Sequence, residues 1–450
     1  MIKQLTGLAL LSIVIMLVAG TQGAATVASS PGAGAAAPEP VGTGGPEGVI
    51  RRGPGQRPAQ FDPAWEQVQH SFAHLLEEQG MVGGSLWFFE DGEPRAREMY
   101  GFADLETGRR VDEDTIFHWG SITKTFTGIA IMQLRDRGLL SLDDPVVHYI
   151  PELRQVHNPF GSMREITIRH LMSHSSGFRG PTWPWGGGED WQPHEPTSWE
   201  QIVAMLPYTE IHFDPGTRWS YSNPGIIFLG RIIELLTGDD YEVYVDKNVF
   251  RPLEMHRAYF DHTPNHLLRH RANNYTVVDG VPQANGLDFD TGITVSNGGL
   301  NAPITDMAKY LAFLLGAPDD EALRMRYDVV LQRSTLEEMW KAEIEIAGPV
   351  SPGGTDPADL RQSMGLTYFI LETGGGTGGE TGGLRLIGHT GSQKAYFSFF
   401  YIDPATRTAA IAAFNSQGAP AEDGTRQPDA RAVLNTVRAT LLEEIFPLFD

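Results

Sequence analysis

Ser121 and Lys124 stand three residues apart in "HWGSITKTFTG", residues 118–128. Positions i and i+3 of a helix project from one face, so a hydroxyl and an amine at this spacing can meet. Serine is a poor nucleophile until a neighbouring base takes its proton. Lysine serves as that base where desolvation or nearby positive charge depresses its pKa, and Phe117, Trp119, Ile122 and Phe126 make this stretch apolar. The chain has six lysines, Lys3, Lys124, Lys247, Lys309, Lys341 and Lys394, among 34 Lys+Arg. Arginine therefore carries most of the positive surface charge, and a lysine is kept where its proton must come off. Close to a helix start, Ser121 also meets backbone N–H groups and the positive end of the helix dipole.

Two further segments carry chemistry. In "RWSYSNPG" Tyr221 and Asn223 are two apart, so in an extended loop they point the same way, and the flanking Pro and Gly constrain the turn. A tyrosinate near a lysine ammonium shuttles protons, and the amide can hold a substrate carbonyl or the lysine. In "GHTGSQKAYFSFF" His389, Thr390, Gly391 and Ser392 sit on a strand, where Gly391 lets a ligand approach the backbone closely. Each segment alone has a plainer explanation: a chance S-x-x-K on an amphipathic helix, a buried tyrosine beside a turn asparagine, a hairpin of small polar residues.

Other chemistries are less well served. No serine lies in a G-x-S-x-G elbow. His170 and His174, and His262, His266 and His270, have helical spacings, but neither set takes the H-E-x-x-H form, so they read as structural or surface histidines. Neither a metal nor a cofactor is expected.

The elements that must position these residues are legible in outline. "AWEQVQHSFAHLLEEQG" from Ala64 has helical spacing and a glycine stop, and the serine segment opens a helix that runs to Gly138. "GGSLWFFEDGEPRAREMYGFADLETG" reads as two strands about Asp91-Gly92. "SMGLTYFILE", "GLRLIGHTG", "AYFSFFYID" and "TAAIAAFNS" read as four more strands, before a final helix "DARAVLNTVRATLLEEIFPLF". The glycine-rich stretch Thr373–Gly383 is expected to be a hairpin loop. The expected fold is α/β: an antiparallel sheet flanked by helices and built from both termini (61–143 and 292–450), with an inserted all-helical domain over 144–291.

Taken together and in this order, the three segments resemble the serine β-lactamase and penicillin-binding-protein superfamily, especially its class C-like branch. The matching residues are S-I-T-K at Ser121 to Lys124, Y-S-N at Tyr221 to Asn223 and H-T-G at His389 to Gly391, where many members have K-T-G. "YGFADLETG", "LLSLDDPVVHYIPEL", "ITIRHLMSHSSGF" and "NGGLNAPITDMAKYLAFLL" extend the likeness over about Val82 to Ser416. The resemblance implies Ser121 as the acylated nucleophile and Lys124 and Tyr221 as its proton-transfer pair. It implies that Asn223 orients the substrate carbonyl and that the backbone N–H groups of Ser121 and Ser392 form the oxyanion hole. His389 departs from the commoner lysine, and a histidine near its ordinary pKa of about 6.5 is mostly neutral at pH 7, so it supplies no fixed charge for a substrate carboxylate. A carboxylesterase or a D-amino-acid peptidase or DD-carboxypeptidase is therefore expected ahead of a class C-like β-lactamase. A non-catalytic sensor binding peptidoglycan or a peptide is the reading from another class. Lys394, just beyond the third motif, reads as a solvated lysine or as charge at the rim. Trp183, Trp185, Trp191 and Trp199 lie in a Gly- and Pro-rich stretch that reads either as an aromatic lid or as loop packing.

Bulk composition narrows the partners. A formal net charge of −22 repels nucleic acid, leaving a small-molecule or peptide substrate with an ester or amide bond. Lys3 followed by the apolar run Leu8–Val18 reads as an export signal over 1–24, shorter than the roughly 20 residues that span a bilayer. The export signal implies a periplasmic or extracellular protein with no stable membrane insertion once it is removed, an uncleaved anchor being the alternative. Residues 25–60 are rich in Ala, Gly and Pro and read as a flexible tether. With no cysteine, the fold relies on its own core and not on disulfides.

Overall fold

Along Gly83–Glu90 and Tyr396–Asp403 large apolar side chains follow one another without polar alternation, the pattern of strands covered on both faces. The computed structural model describes residues 58–178, 196–287, 291–350, 357, 359–374, 383–421 and 425–449. The expected export signal, nearly all of the expected tether, and Trp183, Trp185 and Trp191 lie outside the described residues. Nine strands form one sheet in the order Arg109–Arg110, Glu93–Asp104, Gly83–Glu90, Thr408–Phe414, Tyr396–Asp403, Arg385–Gln393, Phe369–Glu372, Arg361–Met364 and Ile344–Ile346. Every neighbouring pair is antiparallel, and strands from the two ends of the chain meet where Gly83–Glu90 pairs with Thr408–Phe414. The α/β antiparallel expectation holds.

Side chains alternate across this sheet, as the two-residue strand repeat requires. Leu86, Phe88, Phe399 and Tyr401 share a core with the helices Phe61–Gln79 and Ala430–Thr440. Trp87, Phe89, Phe400 and Ile402 face the other way, into the core that holds Phe126, Ile129 and Ala130 of the serine helix, Thr123–Asp136. Phe61, Trp65, Val68, Phe72 and Leu76 are buried at helical spacing, and at about 2 kcal/mol each their burial holds a helix that would be marginal alone in water. Gly80, at φ 71°, ends it. No helix among the described residues is long and apolar enough to cross a membrane.

The structure departs from expectation in three places. "SMGLTYFILE" is two strands, Arg361–Met364 and Phe369–Glu372, separated by a turn in which Thr367 takes φ 66°. The span 144–291 is not all-helical: alongside helices such as Ile168–Met172 and Asn223–Thr237 it contains the hairpin Tyr275–Val278 and Val281–Ala284. Its turn is Asp279-Gly280, both at positive φ, which matches the right-handed twist of paired strands. Tyr275–Val278 also pairs in parallel with Ser416–Gly418. The final helix is regular over Ala430–Thr440 and continues as a wider coil, Leu441–Ile445. Of the Thr373–Gly383 loop, residues 375–382 lie outside the described residues.

Candidate active site

Ser121 sits in a tight turn, Gly120–Ile122, that runs directly into the serine helix. The turn is tied down on several sides. Trp119 donates its backbone N–H to the Leu300 carbonyl at 2.8 Å and its indole N–H to the Ala302 carbonyl at 2.9 Å. The Thr123 hydroxyl donates to the Gly120 carbonyl at 2.7 Å while accepting the Leu300 N–H at 3.0 Å. A turn held this way presents Ser121, partly exposed, at the positive end of a helix.

Lys124 is fully buried. Its Nζ lies 3.0 Å from Ser121 Oγ, donates to the Asn297 carbonyl at 2.7 Å and stands 4.9 Å from the centre of the Tyr221 ring. The Tyr221 phenol lies near enough to the Ser121 hydroxyl to be influenced by it. Burial raises the Tyr221 pKa, and the Ser121 hydroxyl and the Arg431 charge offset this only in part. The phenol is thus neutral at rest. Asn223 is the first residue of the helix Asn223–Thr237 rather than part of an extended loop, because the Ser222 hydroxyl caps that helix by accepting the Gly225 N–H at 3.2 Å.

The third segment arrives on strand Arg385–Gln393, whose register sets His389 opposite Phe400 and Gly391 opposite Ser398. Two glycines let this strand lie against the serine turn. Gly120 has φ 51°, and a Cβ there would come within 2.9 Å of Ser392 N. A Cβ on Gly391 would overlap the Trp119 carbonyl oxygen and crowd the Ser398 hydroxyl, which itself donates to that carbonyl at 3.2 Å. Gly391→Ala is therefore expected to push the strand back and displace Ser392 N–H. A displacement of about 1 Å at a reacting centre costs on the order of 10²-fold. The check is kcat/KM on an activated ester alongside a thermal melt showing that the variant is folded.

His389 is fully buried, and its Nδ1–H donates to the Thr390 carbonyl at 2.6 Å, which leaves Nε2 as a lone-pair acceptor. Burial first, and the Lys124 charge second, push its pKa down to about 3. Its ring lies 4.8 Å from Phe369 and 6.3 Å from Tyr221, and Trp219 is 6.3 Å from both Phe369 and Tyr221. Three buried nitrogens here, His389 Nε2, Trp219 Nε1 and His174 Nε2, have no hydrogen-bond partner among the described residues. Lys394 falls in the turn after the strand, at φ 49°. With Ser392, Arg426, Asp429, Arg431 and Asn435 it lines a cleft of about 570 Å³, a local gathering of cations in an acidic chain.

The structure thus brings Ser121, Lys124, Tyr221 and the His389–Ser392 strand together and sets Asn223 at the adjoining helix start. Sequence reasoning missed the Asn297 carbonyl, since a main-chain acceptor leaves no trace in residue type. His174 also went unassigned as a site residue. It lies beneath Tyr221 at 4.5 Å between ring centres, whereas His170 belongs to a helix cap, its Nδ1 accepting the Thr167 N–H at 3.3 Å. Trp199, the described member of the tryptophan group, opens the helix Trp199–Met205 and packs 6.3 Å from Phe228. It serves as loop packing there.

An antiparallel sheet between helical layers, with a serine and a buried lysine at a helix start facing a sheet strand, defines the serine hydrolase fold shared by β-lactamases and penicillin-binding proteins. The family model described as Beta-lactamase matches residues 68–435, and the chain belongs to that family. It is 26% identical to Protein flp of Staphylococcus aureus (strain MW2) over 269 residues, 60% of this chain and 51% of that one. It is 31% identical to a protein named Beta-lactamase from Yersinia enterocolitica over 218 residues, 48% of this chain and 51% of that one. The chain spans about half the length of these curated relatives. Among solved structures, the octameric penicillin-binding protein homologue from Pyrococcus abyssi is similar with a TM-score of 0.64 and 26% identity, covering 84% of this chain and 77% of that one. A class C β-lactamase has a TM-score of 0.63 over 85% of this chain and 98% of that one, and at 20% identity it bears on the fold alone.

Proposed function

We propose that this protein is an exported serine hydrolase that cleaves an ester or amide bond through an acyl-enzyme on Ser121, acting as a carboxylesterase or D-amino-acid peptidase. The observation that carries this reading is the 3.0 Å contact between Lys124 Nζ and Ser121 Oγ, made by a fully buried lysine whose other neighbours include a carbonyl and a phenol ring. In its neutral form the amine accepts the serine proton across that contact as Ser121 attacks the substrate carbonyl. The N–H groups of Ser121 and Ser392 meet the developing oxyanion, and Asn223 orients the scissile group. Tyr221, whose ring lies beside Lys124, passes a proton to the leaving group and then takes one from the deacylating water, so one pair of groups serves both halves of the reaction.

His389 supports an ester or a peptide over a β-lactam. Neutral above about pH 3, it offers hydrogen bonding without charge. The cationic cleft beside Ser392 supports a substrate carrying a carboxylate, as a D-amino-acid peptide does. The second reading, a β-lactamase, is favoured by the similarity to the Yersinia enterocolitica protein. Turnover of a p-nitrophenyl ester, a D-Ala-D-Ala peptide and a chromogenic cephalosporin, measured side by side, separates them. The expected order places ester or peptide first; turnover of the cephalosporin alone would overturn the ranking.

A further inference from the structure

His174 touches the proposed proton relay from an element that carries none of its members. It follows the short helix Ile168–Met172 in the left-handed conformation, φ 54°, and is fully buried. Two hydrogen bonds tie it to the residues on either side of Tyr221: its carbonyl accepts the Ser220 N–H at 2.8 Å, and its Nδ1 accepts the Ser222 N–H at 3.2 Å. Between those two anchors its ring lies against the Tyr221 ring, 4.5 Å away and tilted by 37°. The next residue, Ser222, caps the helix that begins with Asn223, so the same clamp sets where that helix starts.

The geometry also dictates the protonation state. An Nδ1 that faces a backbone N–H cannot itself carry a proton, so the ring is neutral with its hydrogen on Nε2. Burial reinforces this first, and the Lys124 charge second. A charged imidazolium would break the Ser222 bond and set a second cation beside Lys124.

We propose that His174 is a positioning residue: it holds the Tyr221 phenol on Ser121 by clamping the backbone on both sides of it and backing its ring. This rests on the reading of Tyr221 as the proton relay. Left unclamped, the phenol samples rotamers and backbone shifts that take it off Ser121, and the reaction slows without loss of substrate affinity.

A double-mutant cycle tests this in the full chain. His174→Phe keeps the ring but removes the acceptor for Ser222 N–H; His174→Asn can restore an acceptor near the Nδ1 position but loses the ring. The readouts are kcat and KM on a p-nitrophenyl ester, the rate of Ser121 labelling by a fluorophosphonate, and the melting temperature. His174→Phe is expected to lower kcat and the labelling rate by about 10²-fold with KM within threefold, and His174→Asn to recover to within about tenfold of the starting protein. On a Tyr221→Phe background the further loss from either substitution is expected to fall below about twofold, because two residues acting through one another are not additive. If His174→Phe does not fold, the cycle with His174→Asn reads the same coupling. Losses that multiply in the double variants, or a His174→Phe protein of full activity, would overturn the positioning role while leaving the relay intact. A Tyr221→Phe protein with unchanged kcat would instead overturn the relay, and with it this role.

Discussion

Ser121→Ala is expected to reduce turnover of any accepted substrate to background, a loss on the order of 10³- to 10⁶-fold, with the fold intact. The size follows from the chemistry: without Oγ there is no acyl-enzyme, and the remaining donors can only bind and polarise. The stability change is small because the side chain is partly exposed and its hydrogen bond to Lys124 contributes only about 1–3 kcal/mol. Comparison of kcat/KM with the melting temperature checks this. Equal turnover by the alanine variant would place the chemistry elsewhere.

The second large effect separates activity from stability. Lys124→Met and Lys124→Arg should each slow acylation by about 10²- to 10⁴-fold, the range of a lost general base. Their melting temperatures should part. Methionine fills a similar length with no charge, and removing an amine from a fully buried site relieves a desolvation penalty of several kcal/mol, so Lys124→Met melts no lower than the starting protein. Arginine retains a charge that cannot be given up and adds volume between the Asn297 carbonyl and the Tyr221 ring, so Lys124→Arg melts lower. Burst-phase stopped-flow with an activated ester, run beside calorimetry, reads both quantities. If Lys124→Arg kept full acylation, the lysine would act by charge alone and not by taking a proton.

Much of the site was legible because its parts are local. Ser121 and Lys124 share one helical turn, and Tyr221 and Asn223 lie two residues apart, so spacing alone proposes each group. The sheet was legible for a related reason, since strands covered on both faces read as unbroken apolar runs such as Tyr396–Asp403. What escaped depends on contacts distant in sequence or made by main chain. His174 meets Tyr221 across 46 intervening positions, through its ring and a backbone N–H beside Tyr221, and no pattern of residue types marks that meeting. The Asn297 carbonyl is silent in the same way. The break at Thr367 was hidden because a β-branched residue at positive φ runs against local preference, and only the surrounding structure imposes it. His389 reads in the sequence as a weak source of charge from its ordinary pKa alone; the burial and the Lys124 charge that push the pKa lower come from packing and from a residue 265 positions away, which residue type does not show.

The central claim, an acylating Ser121 activated by a buried lysine, is tested most directly by covalent labelling. Incubation with a fluorophosphonate, followed by intact mass measurement and peptide mapping, should give one adduct per chain, on Ser121, and none on Ser121→Ala. A folded protein that takes no label, or a label that persists in Ser121→Ala, would contradict it.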